Sequence, residues 1–129
     1  MALPERARAS TGQVCPGPPG QVTLAVVRVD RGRQVLQVAG EIDLATVGAL
    51  RQAVEQLLCS ADGAVVIDLS GVTFMDCRGV ATLFEAVDRA RAAGIDLSAV
   101  GSPACARLIR LTGLTKALAF YDHLDDVPH

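Results

Sequence analysis

The sequence predicts a mixed α/β fold, a central β-sheet with helices packed on it in the order β-β-α-β-α-β-α. Three observations predict it. Ala64–Leu69 (AVVIDL) is a nearly unbroken apolar run, which suits a strand covered on both faces. The segments on either side of it, Leu44–Leu58 and Cys77–Ala92, repeat their apolar residues at helical spacing. Ahead of both, Val22–Asp30 and Gln34–Ile42 are short and rich in β-branched residues, as paired strands are.

Taken in order, Val22–Asp30 and Gln34–Ile42 form a hairpin, with Arg31-Gly32-Arg33 as the turn. In Leu44–Leu58, the residues Val47, Leu50, Val54, Leu57 and Leu58 fall on one helical face, and Asp43 stands before them as an N-cap. After the apolar strand, Ser70–Met75 turns toward Asp76. There a second helix begins, with Val80, Leu83, Phe84 and Val87 on its inner face. Gly94 ends that helix and Ile95–Val100 is the next strand. Pro103 opens a third helix through Leu108 and Leu111, and Gly113 closes it. Ala117–Tyr121 reads as a short edge strand.

With 129 residues there is room for one domain and a tail. Residues 1–20 hold four of the six prolines and few anchors for a core, so they read as a disordered extension ahead of a domain over residues 21–127. The formal charge of −2 lacks the footprint of a nucleic-acid binder. No apolar run is long enough to span a membrane and no signal peptide is evident, so a cytoplasmic protein is expected. Cys15, Cys59, Cys77 and Cys105 have no metal-like spacing, and His123 and His129 lie in an acidic tail. Neither a metal nor a cofactor is expected. The segments that bind nucleotides or run hydrolytic chemistry are missing as well.

The informative stretch is Ile67–Val80, IDLSGVTFMDCRGV. Asp76 is placed to cap a helix, leaving Cys77 and Arg78 in its exposed, electropositive first turn. Ser70 and Thr73 suit turn hydrogen bonds. Phe74 and Met75 are expected to pack at the core or its rim. Cys59 and Cys105 are expected to pack as small residues. Asp68, inside an apolar run, is expected to bond to the following turn or to signal a register one residue away.

This segment resembles the switch segment of bacterial anti-sigma-factor antagonists in the STAS domain family. Gly40–Ala45 (GEIDLA) is similar to the family's entry into its first helix, and Leu108–Val127 to its closing helix and tail. The three matches occur in the family's order across residues 22–127. The resemblance implies the STAS fold and a non-catalytic module. That module binds an anti-sigma factor, usually a serine kinase of the GHKL type, and so releases a sigma factor. Phosphorylation of a serine directly after the switch aspartate separates the pair. Asp43 and Asp76–Gly79 then become partner-contacting or switch residues.

The pattern changes where the switch sits: the phosphoacceptor position holds Cys77 and the next holds Arg78. Three readings follow. One is an antagonist without the phospho-switch. Another is a scaffold or transport-complex subunit with a different protein partner. The third is a redox-sensing protein whose Cys77 thiol lies at a helix start, a setting that favours thiolates.

Overall fold

A computed structural model describes residues 22–28, 33–61 and 63–128. The extension expected over residues 1–20, most of the hairpin turn and His129 lie outside the described residues. The elements are β1 (Val22–Arg28), β2 (Gln34–Ile42), α1 (Val47–Ser60), β3 (Ala64–Met75), α2 (Cys77–Ala93), β4 (Asp96–Val100), α3 (Pro103–Thr112) and β5 (Ala119–Tyr121). Single turns of 3-10 helix, Leu114–Lys116 and Leu124–Asp126, flank β5. The sheet runs β1-β2-β3-β4-β5. Its first pair is antiparallel and the other three are parallel. This is the expected order of elements.

All three helices contribute to one core on a single face of the sheet. From α1 come the five residues predicted by spacing, Val47, Leu50, Val54, Leu57 and Leu58. The same core takes Val80, Leu83 and Val87 from α2, and Cys105 and Ile109 from α3. Leu36, Ile67 and Leu69 supply the sheet's side. Removing each large apolar side chain from water stabilises the fold by about 1.5–3 kcal/mol. Two ion pairs fasten the outer rims of the first two helices, Arg51–Glu85 and Arg89–Glu55, each at 3.3 Å. The opposite face is covered differently. Val35, Val66 and Val100 are capped there by Val127, with Leu124 and Tyr121 beside it. The apolar run in β3 is therefore buried on both sides, by helices on one and by a strap of chain on the other.

The start of α1 lies three residues beyond the expected Leu44. The expected N-cap Asp43 is corrected: the N-cap is Thr46, with no side-chain cap bond, and Asp43 instead closes the turn ahead of it, its Oδ1 accepting from the Thr46 backbone at 3.2 Å while Thr46 Oγ1 accepts from the Asp43 backbone at 2.9 Å. Such side-chain bonds to nearby backbone are typical of turns built on aspartate and threonine. The Thr46 hydroxyl also donates to the Glu41 carbonyl at 2.7 Å, and α1 proper follows. Ends read from sequence commonly shift in this way when a turn precedes the helix.

A larger departure is β3. The expected turn over Ser70–Met75 is strand, so β3 runs twelve residues. Its pairing with β2 slips twice. Gln37 faces Asp68 but Ala39 faces Gly71, and Gly40 faces Val72 but Glu41 faces Phe74. Each slip inserts one extra residue on β3, which is a β-bulge. The bulges break the two-residue period, which is why periodicity missed the strand here. Asp68 attends the first of them, accepting from the Ser70 backbone at 2.9 Å. Gly71 suits the narrow passage, since a Cβ there would lie 2.9 Å from Ala39 Cβ.

Gly94 and Gly113 end α2 and α3 with φ of 71° and 80°, as expected of left-handed caps. Two packing expectations are corrected. Phe74 is 49 % exposed rather than packed, because the second bulge turns it away from the helical layer. Cys59 is exposed near the end of α1, on the turn beyond the apolar face. Met75 and Cys105 are buried as expected.

Candidate functional site

The carboxyl ends of parallel strands β2 and β3 lie side by side, because Ile42 pairs with Met75. The turn after β2 and the start of α2 are therefore neighbours. Ligands and partners of open α/β sheets commonly bind at such strand ends. Four of the five residues singled out from the sequence, Asp76 to Gly79, are consecutive here, and Asp43 sits on the adjoining turn.

Asp76 is the N-cap of α2, with its Oδ1 accepting from the Arg78 backbone at 2.9 Å. Its second oxygen, Oδ2, takes a 2.8 Å ion pair from Arg78 Nη1. Both carboxylate oxygens are thus engaged by one residue, and the guanidinium folds over the helix start. Cys77, between them, is a free and exposed thiol. Gly79 is buried and offers no side chain to a partner. Its role in the arrangement is close approach: a Cβ there would lie 2.7 Å from Met75 Cγ and 2.8 Å from Ile42 Cγ2. The first turn of α2 can seat against both strand ends only without that carbon. Thr82, one turn on, is buried, and its hydroxyl is satisfied there by donating to the Arg78 carbonyl at 3.0 Å.

Sequence reasoning missed two residues of this surface. Leu44 is 71 % exposed in the turn beside Asp43, and Phe74 is half exposed just before Met75. An available signal was that Leu44 belongs to the turn DLAT rather than to the helical face. It also missed Ser102. That residue precedes α3, and its buried hydroxyl donates to the Val72 carbonyl at 3.0 Å, tying α3 to the bulged part of β3. The Cys105 thiol lies 3.1 Å from the same hydroxyl.

Among the described residues no group of His, Cys, Asp and Glu is arranged to hold a metal ion. The surface is open rather than hollow: an exposed apolar pair, a thiol, and an internally paired cation and carboxylate. Such a surface is equipped to dock another protein. No helix among the described residues is long and apolar enough to cross a membrane.

Comparison with known proteins agrees with this architecture. Residues 25–121 match the family model described as "Mlab, STAS domain". The chain belongs to the STAS domain family. It is 33 % identical over 109 residues to the anti-sigma-F factor antagonist RsfB of Mycobacterium tuberculosis, covering 84 % of this chain and 88 % of that one. A second M. tuberculosis protein, Rv2638, named as an anti-anti-sigma factor, is 33 % identical over 94 residues. That match covers 70 % of this chain but only 64 % of Rv2638, so the chain spans less than two-thirds of that relative. The crystal structure of an anti-sigma factor antagonist from Mycobacterium paratuberculosis superposes with a TM-score of 0.74 at 35 % identity. It covers 81 % of this chain and 89 % of that one.

Proposed function

We propose that this protein is an anti-sigma-factor antagonist that binds its anti-sigma factor through the ends of β2 and β3 and the start of α2. In this reading it works in the cytoplasm, without catalysis, by occupying a regulator of the serine-kinase type and so releasing a sigma factor. The observation that carries the reading is that two exposed apolar residues, Leu44 just after β2 and Phe74 near the end of β3, lie on chain segments that the Ile42–Met75 pairing brings together. Apolar side chains held at the edge of a rigid helix start supply contact area with little ordering cost. The antagonist relatives named above support the choice of partner.

Cys77 gives the reading its particular form. It stands where the resemblance places the phosphoserine, and a thiol is close to a hydroxyl in size, so the docking surface is kept while the usual phosphate acceptor is absent. The antagonist would then be permanently competent to bind. Asp43 contributes by holding the turn that presents Leu44, and Arg78 by offering the partner a cation at the rim, where charge chiefly sets specificity and association rate.

Titration of the purified protein against anti-sigma factors of its own host tests this directly. Binding by one of them, weakened about tenfold or more by Asp76→Arg and by Phe74→Ala, supports the reading; a central apolar anchor typically carries this much. Capture of a scaffold or transport complex instead, or binding insensitive to both changes, overturns it.

A further inference from the structure

The second face of the sheet depends on an unusual fastening. Val35, Val66 and Val100 form an apolar strip on three neighbouring strands, each 1 % exposed. Among the described residues, the cover is Val127 with Leu124 and Tyr121. The segment that carries Val127 is attached lightly. Its own turn is closed by the Asp126 backbone donating to the His123 carbonyl at 3.0 Å and Val127 to Leu124 at 3.1 Å. Among the described residues, its side-chain link to the rest of the fold is Arg33, whose Nη1 donates to the carbonyls of Val127 at 3.3 Å and Pro128 at 3.5 Å.

Arg33 itself is buried, yet its Nε has no hydrogen-bond partner. None of the ion pairs among the described residues gives it a carboxylate. A buried guanidinium held by two long bonds to neutral carbonyls loses hydration without full compensation. The two bonds hold the segment, but the hydration that the charge regains on opening makes that hold a weak one. The exposed pair Asp122 and His123 separates the segment from β5 and offers a place to bend.

We propose that Leu124–Pro128 is a strap, latched by Arg33, that opens as a unit while the helical layer stays folded. Its opening uncovers the Val35–Val66–Val100 strip on the face opposite the helices. Structural units with few apolar contacts open locally, far more often than the whole domain unfolds. The proposal is independent of the anti-sigma reading, since neither Arg33 nor any residue of the strap is among those assigned to partner binding.

Thiol labelling of the native protein tests it, because Cys105 is a built-in reference in the helical core with no exposure. In a background of Cys15→Ser, Cys59→Ser and Cys77→Ser, Val66→Cys places a second thiol under the strap. The introduced thiol should react with a disulfide reagent about tenfold faster than Cys105 or more, as sub-global opening requires. Val127→Asp and, separately, Arg33→Ala should raise its rate further and leave the Cys105 rate nearly unchanged. Labelling of both thiols at one shared rate would overturn the strap, and an unchanged rate in Arg33→Ala would overturn the latch. Hydrogen exchange of the otherwise unaltered chain reads the same event without the engineered thiol. The Asp126 and Val127 amides should exchange well ahead of those in α1 and α2, and equal protection would overturn the proposal.

Discussion

The backbone of Asp76 donates to the carbonyl of Ile42 over 3.1 Å, joining the cap of α2 to the last residue of β2. Through this bond the turn after β2 and the start of α2 are held as one surface. Everything proposed for the site rests on that shared edge, and its parts can be altered separately.

Gly79→Ala should destabilise the domain by about 1–3 kcal/mol, the usual penalty for overpacking a tight contact. The new carbon would press on Met75 and Ile42. A urea midpoint lowered with an unchanged slope is the expected measurement. An unaltered midpoint would show that the contact yields freely.

Removing the cap has a smaller effect with a different signature. Asp76→Ala should cost about 1 kcal/mol and Asp76→Asn much less, because asparagine still accepts from the Arg78 backbone. The ion pair to Arg78 is largely exposed and adds little to stability. Denaturation of both variants distinguishes the hydrogen bond from the charge.

Leu44→Ala and Phe74→Ala should leave stability within about 0.5 kcal/mol, since neither side chain is buried in the core. Both should weaken partner binding. A variant that lost binding and stability together would instead assign these residues a structural role.

Cys77→Ser restores a hydroxyl at the phosphoacceptor position. If the partner is a serine kinase, it should phosphorylate this variant and leave the native protein unmodified, as mass spectrometry of the intact chain would show. Phosphate at that helix start would add charge beside Asp76 and should release the partner. Absence of phosphorylation in the variant would argue against a kinase partner.

Ser102→Ala should cost about 1–3 kcal/mol, because the Val72 carbonyl would lose its buried donor. The effect should appear mainly as loss of protection in α3 and the distal half of β3, measured by hydrogen exchange.

The sequence alone determined the order of elements, the inward faces of α1 and α2, the glycine caps and the position of Asp76 at a helix start. These follow from local chemistry: apolar period, cap residues and glycine's access to positive φ act within a few neighbours. The length of β3 was not legible, because its two bulges are defined only by pairing with β2, and they break the alternation by which a strand is read. For the same reason the outward turn of Phe74 could not be foreseen. Gly79 was visible as a site residue, but its packing role needed Met75 and Ile42 brought against it from two strands. The Arg33 contact with Val127 spans 94 residues of chain, and no local pattern encodes it. Tertiary structure decided these features because each depends on which distant atoms share one small volume.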